Sequence, residues 1–154
     1  ERTILGVFYG CGLRRSEGER LNMKDIDFIN HVIYVRKGKG NKSRTVPMSE
    51  GVRRDFKDYY LEERNPKKTD NEAFIINKIG KRMSGNSYNK WLKKLLIRAK
   101  INKETSLHNL RHSIATHLLE SGLNVERIRD FLGHGSLEST QIYTHIKYTQ
   151  TPTL

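Results

Sequence analysis

The chain has 154 residues, enough for one domain with a core of its own and no need of metal or disulfide staples. Lys and Arg number 29 against 17 Asp and Glu, a net charge of +12, which points to a polyanionic partner, nucleic acid first. One cysteine excludes an internal disulfide and fits a reducing cytoplasm, and no apolar run is long enough to span a membrane.

The first residues, Glu1 to Leu5, already read as a helix start rather than a chain start. They suggest a single domain over 1–154 with an upstream domain that lies outside this sequence. Thr3 to Tyr9 is apolar at helical spacing, and Gly10 and Gly12 break it. Ser16, with Glu19 three residues on, predicts a capping box and a second short helix.

The period then changes. His31 to Arg36 is rich in β-branched and aromatic residues and predicts a strand, Gly38-Lys39-Gly40-Asn41 a turn, and Ser43 to Met48 the returning strand. Asp25 to Ile29 adds a third strand. The result is a small three-stranded antiparallel sheet whose hairpin has a basic tip.

From Ser49 the spacing of Val52, Phe56, Tyr59 and Tyr60 is helical, and Asn65-Pro66-Lys67-Lys68 ends that helix. Phe74-Ile75-Ile76 reads as a short buried strand or turn. Ser87 to Lys100 is amphipathic, with Trp91, Leu92, Leu95 and Leu96 inward and Lys90, Lys93, Lys94 and Arg98 outward. Further helices follow at about Leu107–Ser121, Val125–Leu132 and Ser139–His145, with Gly122 and Gly133 as C-terminal stops. The fold class is α+β and mostly helical.

Two pieces of chemistry stand out. His108 and Arg111 lie at i and i+3 on one helix face, and imidazole and guanidinium can both donate hydrogen bonds to phosphate oxygens. Alone, that pair reads equally as an ordinary helix surface. His108 and His112 have the i, i+4 spacing of a zinc site, but Asn109 stands where a glutamate would be needed and Arg111 would repel a cation. No metal and no cofactor are implied. Farther on, Leu132-Gly133-His134 is followed by Tyr143 on a separate predicted helix.

Taken in order, Gly12-Leu13-Arg14-Arg15-Ser16-Glu17, the lysine hairpin Gly38-Lys39-Gly40-Asn41-Lys42, His108-Asn109-Leu110-Arg111, Leu132-Gly133-His134 and Tyr143 resemble the tyrosine recombinases, a family of Xer proteins, phage integrases and conjugative-transposon integrases. The likeness runs from Thr3 to about Ile146. It implies the catalytic core of a site-specific DNA recombinase or integrase, an enzyme that breaks and rejoins DNA without a metal through a 3′-phosphotyrosyl intermediate. Arg14 and Arg111 would clamp the scissile phosphate, and His108 and His134 would donate to its oxygens or handle the tyrosine proton. Lys39 would protonate the leaving 5′ oxygen, Tyr143 would attack phosphorus, and Glu17 would orient an arginine. These groups are therefore expected to converge on one anion-binding pocket.

Double-stranded DNA is the implied partner, with self-association into a tetramer when the protein is full length, and the cytoplasm is the expected location. Arg15, Lys37, Lys42, Arg44, Lys81, Arg82 and Lys90 are candidate DNA contacts, and the helix from Asn86 to Lys100 is a candidate for the major groove. Gly18 departs from the family pattern, which carries an apolar residue after Ser-Glu, and predicts a looser helix behind Arg14. Three rival readings are a type IB topoisomerase, a DNA-binding module without activity, and a metal nuclease.

Overall fold

The computed structural model describes residues 1–36, 43–65 and 72–133. The expected hairpin turn and the Ser139–His145 helix lie outside these residues, as do Lys37, Lys39, Lys42, His134 and Tyr143.

The chain opens with helix α1 (Arg2–Leu5), which runs on through a wider π-helical turn (Gly6–Gly10) closed by Cys11 N–H on the Gly6 carbonyl at 2.8 Å. Val7 and Phe8 are fully buried there. Helix α2 (Arg15–Arg20) begins two residues earlier than the Ser16 cap predicts. The Glu17 carboxylate accepts the Arg14 backbone N–H at 2.7 Å, so Arg14 holds the cap position.

Gly18 corrects the expectation of a loose helix. It is buried, and a Cβ there would stand 2.6 Å from Phe8 Cζ and 3.2 Å from Val7 Cγ1. The missing side chain lets α2 press directly onto the Phe8 ring. Tyr88 lies edge-on to that ring, 4.8 Å between centroids, and donates to the Gly18 carbonyl at 3.4 Å.

Strands β1 (Ile26–Asp27), β2 (Val32–Val35) and β3 (Arg44–Pro47) form the predicted antiparallel sheet in the order β1-β2-β3. β1 is shorter than expected. Asp25 belongs to a 3-10 turn, and the Asp27 carboxylate turns the chain by accepting the backbone N–H of Ile29 at 3.0 Å and Asn30 at 2.8 Å. Ile33 pairs with Val46 and Val35 with Arg44. Facing residues share a side of the sheet, so Arg44 points where Ile33, Val35 and Val46 are buried.

Helix α3 (Glu50–Asp58) starts at Ser49, whose Oγ accepts Val52 N–H at 3.3 Å, and continues as a π-helical turn (Tyr59–Glu63) that stops ahead of the Asn65-Pro66 break. Phe74 and Ile75 are buried between two isolated bridges, Asn22 with Ala73 and Ile76 with Arg82. Helix α4 (Gly85–Arg98) buries Tyr88 and Leu92 and leaves Lys90, Lys93 and Lys94 exposed, as its pattern predicts.

These elements enclose the main core around Phe8, Leu13, Ile33, Val46, Phe56 and Phe74. A second small core of Ala115, Leu119, Ile128 and Leu132 joins helix α5 (Leu107–Glu120) to helix α6 (Val125–Leu132). Phe131 packs against both cores and fixes α6 against the body of the domain. Among the described residues no helix is long and apolar enough to cross a membrane.

Candidate active site

Helix α5 is started by Ser106, whose Oγ accepts Asn109 N–H at 3.2 Å while Asn109 Oδ1 accepts Ser106 N–H at 2.8 Å. Asn109 is thus a capping residue. The cap puts His108 in the first helical turn, exposed, and Arg111 one turn deeper, where its side chain is 3 % exposed. A guanidinium that deep must find acceptors. Arg111 Nη1 donates to the Gly12 carbonyl and Nη2 to the Leu132 carbonyl.

Leu132 O is one of a row. Helix α6 ends at Gly133 in the left-handed conformation (φ 66°), and its last carbonyls lack intrahelical partners. Three arginines from three elements supply them. Arg44 Nε donates to Phe131 O at 3.1 Å, Arg111 Nη2 to Leu132 O, and Arg14 Nη2 to Gly133 O at 3.1 Å. Positive charge at a helix C-terminus is favoured by the helix dipole as well.

Glu17 is the counter-charge inside this cluster. Its side chain is 7 % exposed. Arg44 grips both oxygens, Nη1 to Oε1 at 2.6 Å and Nη2 to Oε2 at 3.0 Å; Arg14 Nη1 adds a bond to Oε1 at 3.0 Å, and Arg111 Nη1 lies 4.0 Å from Oε2. Burial pushes the carboxyl up, but the hydrogen bonds and charge of Arg44, then those of Arg14, outweigh it and hold Glu17 down at about 2. It is an anion at every working pH.

Above this cluster is a cavity of about 300 Å³ lined by Leu13, Arg14, Arg15, Ser16, Leu107, His108 and Arg111. The expected convergence therefore holds for Arg14, His108 and Arg111, with Arg15 at the same wall. It says nothing of Lys39, His134 and Tyr143, which lie outside the described residues. The described chain does lead to His134, the residue after Gly133.

His108 Nε2 sits 2.5 Å from His112 Nε2, so one ring must carry the proton and the other accept it. Burial, then the neighbouring His108 and Arg111, lower the His112 pKa. Among the described residues no group of three or more His, Cys, Asp and Glu is placed to hold a metal ion.

Two of the expected DNA contacts are corrected. Arg44 is 12 % exposed and committed to Glu17 and Phe131 O, since the sheet register turns it inward. Arg82 donates to the carbonyls of Glu19 at 3.0 Å and Leu21 at 3.2 Å and to Asn22 Oδ1 at 2.6 Å, which ties the chain behind α2. Lys81 and Lys90 are exposed.

The phage integrase family profile matches residues 1–150. Tyrosine recombinase XerC of Chlamydia trachomatis is 40 % identical over 147 residues, covering 95 % of this chain and 46 % of the relative. Tyrosine recombinase XerD of Staphylococcus epidermidis is 37 % identical over 153 residues, 97 % of this chain and 51 % of the relative. The chain thus spans about half the length of the curated relatives it matches. Among solved structures, the XerA recombinase superposes with a TM-score of 0.86 at 32 % identity, over 99 % of this chain and 57 % of its own. The XerH site-specific recombinase bound to its difH substrate before cleavage gives 0.77 at 27 %, over 97 % of this chain and 43 % of its own.

Proposed function

We propose, from the premise that this chain belongs to the phage integrase family, that it is the catalytic domain of a site-specific DNA recombinase that cuts and rejoins strands through Tyr143. The observation that carries this reading is the 300 Å³ cavity faced by Arg14, His108 and Arg111, a set of donors suited to one phosphodiester. Its relatives are tyrosine recombinases by name, and XerH is recorded on its DNA substrate both before and after cleavage.

Phosphoryl transfer builds charge on the non-bridging oxygens, so catalysis is mainly placement and electrostatic stabilisation. Arg14 and Arg111 hold those oxygens, and His108 and His134 donate to them or receive the tyrosine proton. The Tyr143 hydroxyl oxygen bonds to phosphorus as its proton leaves, and the bond from phosphorus to the 5′ oxygen breaks. Lys39 protonates that oxygen, because an alkoxide is a poor leaving group. The reverse step, with a 5′ hydroxyl of the partner strand attacking the phosphotyrosine, rejoins the DNA. One phosphodiester is exchanged for another, so ATP has no part, and the guanidinium and imidazole groups take the place a metal has in other nucleases.

In the whole protein the partner is double-stranded DNA and the working unit a tetramer on two sites. Lys39, His134 and Tyr143 take these roles from their motif positions. The test is a nicked suicide duplex whose site is first selected from a randomised pool by covalent capture. Wild type should form a covalent adduct unaffected by EDTA, with the label on Tyr143, and Tyr143→Phe should form none. No adduct with wild type would end the enzyme reading. Adduct formation together with relaxation of supercoils at any sequence would replace the recombinase by a topoisomerase.

A further inference from the structure

We propose that Arg44 is a positioning residue for the phosphate clamp, and that Gly133 is the seat its side chain requires. The inference rests on the reading of the Arg14–His108–Arg111 cavity as the site of the scissile phosphate. It replaces the DNA contact that a place on the basic hairpin suggests for Arg44.

Three features place Arg44 between α2 and the end of α6. The register pairs it with buried Val35, so the strand delivers it to the interior face and not to DNA. Its guanidinium makes a bidentate pair with Glu17 and a third bond to Phe131 O, a pattern that needs a planar fork and that a lysine ammonium cannot reproduce. Its stem occupies the space beside Gly133. A Cβ on Gly133 would lie 2.6 Å from Arg44 Cδ and 2.9 Å from Nε, at a φ of +66° that other residues rarely adopt.

The consequence follows from charge and reach. Glu17 is shared between Arg44, which does not line the cavity, and Arg14, which does. With Arg44 in place, both Glu17 oxygens are engaged from the far side. Without it the buried carboxylate has Arg14 at 3.0 Å and Arg111 at 4.0 Å as its remaining charged partners, and it draws both guanidinium groups away from phosphate. Arg44 also pins Phe131 O, two residues before Gly133 and three before His134. The strand that follows the lysine hairpin and the helix end that leads to His134 are thus held by one side chain.

The experiment uses the selected suicide duplex with wild type, Arg44→Met, Arg44→Lys and Gly133→Ala. Single-turnover adduct formation at saturating DNA gives rate and amplitude, and fluorescence anisotropy over a range of salt gives Kd and its salt slope. All three variants should lose about 100-fold in rate at saturation, the scale of a clamp displaced by about an ångström, with amplitude, Kd and salt slope held. Gly133→Ala is the second arm: it keeps every charge and crowds the Arg44 stem, but it also strains the left-handed end of α6, so it is read beside Arg44→Lys, which leaves that backbone alone; should Arg44→Met not fold, these two variants decide together. Wild-type rate in Gly133→Ala or in Arg44→Met overturns the proposal, and so does rescue by lysine. A loss seen as weaker binding with a salt slope lowered by about one would make Arg44 a phosphate contact instead. A loss of amplitude at unchanged rate would make it a stability residue. If wild type captures no duplex, the recombinase reading falls and this inference with it; normal capture with undiminished variants overturns this inference alone.

Discussion

The buried charge of Glu17 sets a stability that depends on pH in a calculable way. Folding takes its carboxyl from an ordinary 4.5 to about 2, burial opposing the change and Arg44 and Arg14 imposing it. The folded value is the lower one, so on acidification the unfolded chain takes up the proton first. Stability contributed by Glu17 is complete above the unfolded value of 4.5 and is lost as pH falls toward 2. With about 1.36 kcal/mol for each pH unit between the two values, lowering pH from neutrality to 3 should cost roughly 2 kcal/mol from this group alone. Urea unfolding at pH 6.5 and pH 3, followed by the fluorescence of half-buried Trp91, measures it. Glu17→Gln cannot titrate there, and the other carboxylates are common to both proteins, so the difference between the two pH dependences isolates Glu17. The variant should start lower at pH 6.5, by about 3 kcal/mol or more, because Arg44 is left without its counter-charge. Parallel losses in wild type and variant between the two pH values would refute the placement of Glu17 as a buried anion.

Arg111→Lys keeps the charge but not the fork that reaches Gly12 O and Leu132 O; adduct formation should fall by about 10²–10³ and the urea midpoint should drop as well, and a lysine variant with the wild-type rate would contradict the clamp. Lys81 and Arg82 are sequence neighbours with opposite expected phenotypes. Lys81→Ala should lower the salt slope of DNA binding by about one without a change in melting temperature, whereas Arg82→Ala should lower the melting temperature and spare the slope, since it strips donors from Glu19 O and Leu21 O. Equal effects on the slope would refute the distinction. Sulfate, compared with chloride at equal ionic strength, should stabilise wild type more than Arg14→Gln, by about 1.4 kcal/mol once sulfate is tenfold above its Kd for the cavity. General salting-out acts on both proteins alike, so equal stabilisation would mean that the cavity binds no oxyanion.

The helices and the sheet were legible because their cores repeat at the two periods the backbone imposes, as in Val52 and Phe56 on α3 or Ile33, Val35 and Val46 on the strands. Arg14, His108 and Arg111 were legible through motif order, not through spacing, since nothing local says that residues 14 and 111 share a cavity. Arg44 was misread because a basic hairpin suggests DNA and hides the alternation. Counting by two from Val46 places Arg44 on the buried face, and that rule was available in the sequence. The shift of the α2 cap from Ser16 to Arg14 was not available, because a Ser-x-x-Glu pattern fits Ser16 and Glu19 equally well until Glu17 is drawn in by Arg44.

The arginine cluster also explains how the cavity stays cationic before any phosphate arrives. Arg14, Arg44 and Arg111 surround one carboxylate, so the group carries an excess of positive charge in a partly dry setting. Like charges held this way repel, and a chain with nothing else to offer would relieve them by turning an arginine outward. Here the open carbonyls of Phe131, Leu132 and Gly133, at the negative end of α6, accept one bond from each guanidinium. The helix end supplies partial charge that neutralises less than a carboxylate would. A second carboxylate in its place would satisfy the arginines and remove the attraction for phosphate. Carbonyl dipoles satisfy their geometry and leave the charge deficit, which in the proposed function a phosphodiester beside His108 would fill.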